Sequence, residues 1–423
     1  MPDGKLYIYG SCDGHPDLYC SEKYDVAATA DLLHWEIYED VFNGAAVSWY
    51  HDPKAPVYDS REGLPTQFEK RMRDTRKKDD IDFVLSQNSN LPPLLFAPDC
   101  AEKDGKYYLY FCMADGSEGV AVSDRPEGPF HDPVRLPCGG IDPAVFVDRS
   151  GQAYYYWGQF RSHAVRLHTD MVSFDPREVM DSFLTEEKHY FHEGTSIRRI
   201  GDLYYAVFAD IERGRPTALG YATSTSPLGP FVYRGIIIDN RECDPSSWNN
   251  HGSIECFNGQ WYVFYHRSSR NTKIYRRLCI EPITVLADGS IPEVKMTSQG
   301  PGDPFRPGER IMGYQSCALF GNLYIDRIPD RKEYAEALVR IAPGDRAVFR
   351  YVTSDKGFAR IELKGNGSGR IEVLADGKSA GKITMHSGRQ NGGDITIASG
   401  THELTLFFCE AEELEIESFV LFG

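Results

Sequence analysis

Two carboxylates and one histidine stand at nearly the same distance before a recurring glycine. Asp142 lies nine residues before one copy of that glycine, Glu193 eight before the next, and His251 eight before the one after. Asp99 lies six residues before an earlier copy. Two facing carboxyl groups can work as an acid and a base, one protonating a leaving oxygen while the other acts on water. Taken singly, such residues more often cap turns or pair with arginines, so the shared spacing favours a catalytic interpretation.

The elements that would position these residues follow from a phrase that occurs five times. Aligned on their glycines, the copies are 101, 46, 50 and 58 residues apart. Each combines a turn signal with a short run rich in aromatic and β-branched residues, which predicts a turn followed by a strand. A period of about fifty residues is typical of a propeller blade. The copies are DGKLYIY at 3, DGKYYLY at 104, SGQAYYY at 150, IGDLYYA at 200 and NGQWYVF at 258.

A second phrase follows several copies and predicts a further strand in each blade, as in residues 26–35, 120–130 and 221–231. The inner strand of every propeller blade faces the central channel. Asp142, Glu193 and His251 would therefore converge there. The alternative fold is a β-sandwich with accidental DG turns, which are common hairpin signals anywhere.

Composition limits the classes of function. The chain has 423 residues, a net charge of −16 and 41% hydrophobic residues. This argues for a folded protein of two domains and against a nucleic-acid or anionic-membrane partner. The ten cysteines show no CxxC pair and are interpreted as mostly reduced, packed thiols. With no signal peptide or membrane span in the sequence, a cytoplasmic location is expected, or a periplasmic or secreted one if the natural chain begins upstream.

The predicted fold class is all-β. A five-bladed β-propeller is expected over residues 1–299, closed by strands around 279–285 and 287–297. It would carry an insertion at 42–95 that contains the charged run 69–83. Residues 300–310 are predicted to be a Pro/Gly linker. Residues 311–423 show short alternating segments, which predict a jelly-roll-like β-sandwich.

Several motifs give the chain a family resemblance. They are LFAPD (95–99), GIDPAVF (140–146), HEGTSI (192–197), NHGSIECFNGQWYVFYH (250–266) and RRLCIEPITVLADGSIPEV (276–294). Through them the chain resembles glycoside hydrolase family 43, whose fold is a five-bladed propeller. The tail resembles a family 6 carbohydrate-binding module through SCALFGNLYIDRI (316–328) and its closing strands.

The resemblance to family 43 implies roles for individual residues. Glu193 would be the general acid, and Asp142 would tune the pKa of that acid and orient the substrate. His251 would bind, often through water, a calcium or similar ion in the central channel. Arg276 resembles the pocket arginine of the family, and Arg277 is its rival. No organic cofactor is implied.

The implied activity is inverting, exo-acting hydrolysis of α-L-arabinofuranosides, β-D-xylosides or both, in plant polysaccharide fragments. The partner would be an oligosaccharide or polysaccharide substrate. Phe96 and Trp157 lie near inner strands and could stack on a sugar ring, although aromatic residues there more often belong to the core. A galactofuranosidase is a close variant of this hypothesis.

One element of the family pattern is missing from the sequence. Inversion needs a carboxylate base on the opposite face of the sugar. The family resemblance implies that this base lies in the first blade, at a position that would precede Met1 here. The first blade would lose its inner strand for the same reason. Three explanations stay open: the recorded chain starts late, the base is recruited from Asp13, Asp52 or Asp99, or the protein is a noncatalytic carbohydrate-binding propeller.

Overall fold

The computed structural model describes residues 3–13, 19–50, 92–329, 335–388 and 391–423. Almost all regular structure in these ranges is β, as predicted. The exceptions are one short α-helix, α1 (Glu186–His189), and the 3-10 turns Gly44–Ala46, Pro176–Glu178 and Gly313–Gln315. No helix in these ranges has the length and apolar composition needed to cross a lipid bilayer. The predicted charged run 69–83 and Asp52 lie outside the described residues.

The first part of the chain forms the five blades of a propeller, in which every sheet keeps its strands in chain order. The first blade holds β1 (Leu6–Ser11), β2 (Lys23–Thr29) and β3 (Glu36–Asn43). The second holds β4 (Asp99–Lys103), β5 (Lys106–Cys112), β6 (Ser117–Ser123) and β7 (His131–Gly139). The third holds β8 (Ala144–Val147), β9 (Ala153–Trp157), β10 (Arg161–Arg166) and β11 (Met180–Thr185).

The fourth blade holds β12 (Phe191–Ile200), β13 (Leu203–Asp210), β14 (Ala218–Ser224) and β15 (Val232–Asp239). The fifth holds β16 (Ser253–Phe257), β17 (Gln260–Ser269) and β18 (Thr272–Ile283). In the second to fifth blades the repeated phrase supplies the second strand. In the first blade, the described residues place it in β1, at the edge of a three-stranded sheet.

The repeated phrase behaves as predicted in all five copies. Its glycines have backbone φ between +61° and +84°, a region that a residue with a Cβ enters only at a cost. Each therefore makes the tight turn that feeds the strand after it. The five are Gly4, Gly105, Gly151, Gly201 and Gly259.

Aromatic side chains join neighbouring blades face to face. Tyr110 of the second blade and Tyr155 of the third, both fully buried, lie with ring centroids 5.2 Å apart. The core between the third and fourth blades likewise draws Tyr156 from one sheet and Phe208 from the next. Consecutive residues of a strand face opposite sides of its sheet, and all five residues of β9 are buried, so both faces of that blade can pack against a neighbour. This packing holds the inner strands, and their polar ends, in fixed positions.

One strand prediction in the propeller is wrong. Residues 284–297 contain no strand, and β18 ends at Ile283. The segment is held by tyrosine hydroxyls of the fourth blade instead: Tyr205 donates to the carbonyl of Gly289, and the N–H of Ile291 donates to Tyr221. These side-chain bonds take the place of a backbone ladder.

The C-terminal strands form one large sheet, nearly closed like a barrel or sandwich. Four of the short alternating segments of the tail, at 359–365, 369–377, 402–409 and 414–422, are joined in pairs into two long strands. These two long strands pair with each other, and their register shifts at several points. Such shifts bend a strand without ending it, as β-bulges do. The strands are β19 (Arg310–Met312), β20 (Ala318–Phe320), β21 (Tyr324–Arg327), β22 (Glu336–Val339), β23 (Arg346–Ser354), β24 (Phe358–Ala375), β25 (Lys378–Met385), β26 (Asn391–Ile397) and β27 (Gly400–Phe422).

The chain divides into two compact units. The first contains Met1–Ile237, Asn250–Val263 and Thr284–Glu293, and the second contains Ile238–Asn249, Phe264–Ile283 and Val294–Gly423. The domain boundaries predicted at 299 and 311 stay a prediction, as does the resemblance of the tail to a carbohydrate-binding module.

Candidate active site

Asp142, Glu193 and His251 all lie at the starts of first strands, as the spacing predicted. Asp142 precedes β8 by two residues, Glu193 is the third residue of β12, and His251 precedes β16 by two. All three belong to the first unit. Asp142 is 5% exposed and Glu193 is 8% exposed. Two carboxyl groups so far removed from water are unusual without a function or a strong partner.

The backbone at Asp142 is held in an uncommon conformation. Its φ is +58°, in the left-handed region, and the following residue is Pro143, which disfavours helical conformations before it. Strained backbone of this kind clusters at functional sites, where the surrounding structure maintains it. The carboxylate of Asp142 faces His251, whose Nδ1 lies 3.9 Å from Asp142 Oδ1.

Glu193 is positioned by irregular pairing of β12. The register of β12 with β13 shifts on both sides of Glu193, between Phe191 and Glu193 and again between Glu193 and Ser196. Bulges re-aim the side chains that they flank. The carboxyl group accepts a 2.6 Å hydrogen bond from Gln159 at Oε2, and His192 Nε2 lies 3.9 Å from the same oxygen.

Gly194 connects the general-acid candidate to the histidine. A Cβ at Gly194 would lie 2.9 Å from the Cδ2 and Nε2 atoms of His251, closer than real Cβ contacts allow. The His251 ring therefore packs directly on the residue after Glu193 and faces Asp142 on its other flank. The structure thus brings Asp142, the backbone beside Glu193, and His251 together, with 26% of the His251 side chain exposed.

The wall behind Asp142 is apolar. Phe96, 7% exposed, belongs to a cluster with Cys112, Cys20, Leu94 and Ala114, and Ile141 packs against this cluster. Burial raises the pKa of the Cys112 thiol well above its usual range, with the nearby Asp142 acting in the same direction. The thiol therefore stays protonated. This cluster places Phe96 in the core beside the site, and its contact with a sugar stays a prediction.

Trp157 is enclosed by other rings in the core of the third blade. Tyr155, His163 and Phe174 all stack on it, with centroids 5.3, 5.2 and 5.9 Å from its own. Its exposure is 4%. These neighbours favour a packing role for Trp157, and its predicted contact with substrate is untested.

The two candidate arginines point in opposite directions along β18. Consecutive side chains of a strand alternate between its faces, so Arg276 and Arg277 project to different sides. Arg277 forms a bidentate ion pair with Glu336, which is 4% exposed, inside the second unit. Arg277 therefore has a structural task. The substrate-binding role of Arg276 stays a prediction.

Sequence reasoning missed a charged network on the inner strands. Arg198 of β12 donates a 2.7 Å hydrogen bond to Glu255 of β16, and Asp99 of β4 interacts electrostatically with both. Burial raises the pKa of Asp99, while Arg198 and backbone N–H groups oppose that rise. The available signal was position: Arg198 and Glu255 follow Glu193 and His251 by five and four residues.

The donor set around His251 does not match a calcium cage. Calcium takes six to eight oxygen ligands, whereas the side chains facing each other here are one imidazole and one carboxylate. Within the ranges that the structure describes, no group of three or more His, Cys, Asp or Glu residues could hold a metal ion. Any ion at His251 would therefore be held mainly through water.

Comparison with known proteins decides the family. A sequence model of "Glycosyl hydrolases family 43" matches residues 23–291. The chain belongs to glycosyl hydrolase family 43. The predicted resemblance, propeller fold and glycosidase class are thereby confirmed.

Relatives of this family 43 glycosidase carry consistent names. A xylosidase/arabinosidase of Thermoclostridium stercorarium is 29% identical, over 99% of this chain and 94% of its own length. Xylosidase/arabinosidase 43A of Humicola insolens is 31% identical, over 68% of this chain and 93% of its own. A β-xylosidase/α-arabinofuranosidase from a compost microbial metagenome, solved with xylotriose in a calcium-free form, is 26% identical. It aligns with a TM-score of 0.51 over 69% of this chain and 91% of its own.

Proposed function

We propose that this family 43 glycosidase releases α-L-arabinofuranosyl or β-D-xylosyl units from the ends of plant polysaccharide fragments, with inversion. The observation that carries the proposal is the convergence of Asp142, the Glu193 segment and His251 on one end of three inner strands. The names of the relatives support the choice of sugars, since both named activities act on five-carbon sugars of plant cell walls.

Glu193 acts as the general acid. Its proton moves to the glycosidic oxygen as the bond from the sugar carbon to that oxygen breaks, and the bonding electron pair stays on the leaving oxygen. Asp142 lies two contacts away, through His251 and Gly194, and its fixed backbone suits it to hold a sugar hydroxyl. Phe96 belongs to the apolar cluster beside Asp142.

Inversion also requires a base that takes a proton from the attacking water. Asp13 and Asp99 are the candidates among the described residues. Asp99 Oδ1 accepts the N–H of Cys100 and Oδ2 accepts that of Val145, and its pKa is raised by burial. The two backbone hydrogen bonds hold both carboxyl oxygens and argue against Asp99 as the base, whereas the raised pKa alone would favour proton uptake. Asp13 and Asp52, the second of which lies outside the described residues, stay open as candidates for the base.

A panel of 4-nitrophenyl glycosides tests the proposal. We expect turnover of the α-L-arabinofuranoside, the β-D-xyloside or both, and little with the β-D-galactofuranoside. Proton NMR during the first minutes of hydrolysis should show the free sugar appearing in the anomeric form opposite to that of the substrate. Binding of xylo- or arabino-oligosaccharides in a calorimeter, with no product after prolonged incubation, would instead support a noncatalytic binding protein.

A further inference from the structure

The short segment that follows β9 joins both halves of the candidate site. The N–H of Gly158 donates to the carbonyl of Ile141 over 2.9 Å, next to Asp142. Two residues later, the N–H of Phe160 donates to the carbonyl of His192 over 2.6 Å, next to Glu193. Between these bonds, Gln159 and Glu193 form an antiparallel bridge.

The backbone of this segment has an unusual conformation at Gly158 and Phe160. Gly158 has φ of +122°, and a Cβ there would lie 2.4 Å from the carbonyl oxygen of Arg161. Phe160 also has a positive φ, +63°, and its ring packs edge-on against that of His192 at 5.3 Å. Such costly backbone is maintained only where surrounding contacts fix it. The turn therefore holds the Gln159 side chain in one defined place.

That place is the carboxyl group of Glu193. Gln159 Nε2 donates to Glu193 Oε2 over 2.6 Å. A carboxyl oxygen that accepts an N–H is the less basic of the two, so the acidic proton resides on Oε1. The same bond stops the carboxyl group from rotating about its terminal torsion, which is otherwise a soft degree of freedom.

We propose that Gln159 is the positioning residue for the general acid, an inference that rests on the proposed role of Glu193. As the proton leaves Oε1 for the glycosidic oxygen, Glu193 becomes a carboxylate, and its bond to the Gln159 amide becomes charge-assisted and stronger. An interaction that strengthens in the transition state accelerates the chemical step. Gln159 itself neither gains nor loses a proton.

Leaving-group dependence distinguishes this role from ordinary structural support. A 2,4-dinitrophenyl leaving group departs without being protonated. The sugar that leaves from xylobiose, or from the matching arabinofuranosyl disaccharide, departs only when the acid protonates its oxygen. For Gln159→Met we expect kcat on the disaccharide to fall by about tenfold to a hundredfold, with KM and turnover of the dinitrophenyl glycoside nearly unchanged.

The chain offers a matched control in Gln152. Its amide donates to the carbonyls of Ala153 and Leu167 at 2.8 and 2.9 Å in the same blade, and none of its hydrogen bonds reaches the site. Gln152→Met should therefore leave the ratio of the two rates as in wild type. Circular dichroism checks folding, and if Gln159→Met does not fold, Gln159→Asn carries the same prediction because its shorter amide cannot reach Oε2.

Three results would be decisive. Equal losses on both substrates in Gln159→Met, or behaviour matching Gln152→Met, would overturn the inference while leaving Glu193 as acid. In that case Glu193→Gln would still lose the disaccharide selectively. If wild type hydrolyses neither substrate, the proposed function fails and the inference fails with it.

Discussion

Glu118 provides a test of how the propeller core responds to pH. The residue is fully buried between the second and third blades, where Oε2 accepts hydrogen bonds from the Tyr155 hydroxyl at 2.6 Å and the Cys138 thiol at 3.2 Å. Burial raises the pKa of Glu118 from 4.5 to about 7, although both donors oppose the rise. Between pH 4.5 and about 7, the folded protein therefore keeps a proton on Glu118 that the unfolded chain has already lost.

This difference makes stability fall as pH rises. Between pH 4.5 and about 7 the folded state binds one more proton than the unfolded state, so the free energy of unfolding decreases with pH. The stabilisation is complete below pH 4.5 and gone above about 7, and the whole change is about 3 kcal/mol as an upper bound. Asp210 and Glu281, whose pKa values burial also raises to about 7, act in the same direction.

The perturbation is Glu118→Gln, which keeps a neutral, similarly shaped side chain at every pH. We expect the variant to be more stable than wild type by under about 1 kcal/mol at pH 5 and by up to about 3 kcal/mol at pH 8. Urea titrations at pH 5, 6, 7 and 8, followed by tryptophan fluorescence, measure this, because four of the five tryptophans lie in the same unit as Glu118. The exposed Glu178 supplies the control, Glu178→Gln.

The same pH dependence in wild type and Glu118→Gln would contradict a raised pKa for Glu118. So would a variant that is less stable than wild type at pH 8. Either result would mean that Glu118 is ionised inside the core and that its two donors outweigh the cost of burial.

Three further predictions concern structure and reactivity. Arg198→Met should destabilise the first unit by about 2 kcal/mol in urea titrations, because it leaves the partly buried Glu255 carboxylate without its counter-charge. Arg199→Met on the same strand is the control and should lower the free energy of unfolding by under about 1 kcal/mol. Asp345→Ala should destabilise the second unit by about 3 kcal/mol, because its buried carboxylate accepts hydrogen bonds from three backbone N–H groups; an unchanged unfolding midpoint would contradict this. Of the ten cysteines, all within the described ranges, Cys256 alone is exposed, so it should react first with iodoacetamide. Cys256→Ser should lose this fast phase of the reaction, and a fast phase that persists in the variant would contradict the prediction.

The features predicted correctly from the sequence are those that local chemistry determines. A glycine with positive φ followed by alternating apolar residues specifies a turn and a strand wherever it occurs, so the five repeats could be recognised one at a time. Their common phase then predicted that Asp142, Glu193 and His251 would share one end of the inner strands.

What the sequence did not predict depends on contacts between distant segments. Gln159 lies two residues beyond a strand and has no sequence signal, since its role comes from the turn that carries it to Glu193. The pairing of Arg198 with Glu255 depends on which inner strands become neighbours. Likewise, four short C-terminal strands became two long ones because bulges maintained the pairing through bends that look like breaks in the alternation.

In the proposed mechanism, this family 43 glycosidase breaks glycosidic bonds with Glu193 as the acid. The most direct test compares wild type, Glu193→Gln and Glu212→Gln, an exposed glutamate of the same blade, on xylobiose and on the matching arabinofuranosyl disaccharide. We predict that wild type and Glu212→Gln release sugar at similar rates and that Glu193→Gln is slower by at least about a hundredfold. Equal rates for wild type and Glu193→Gln would contradict the account.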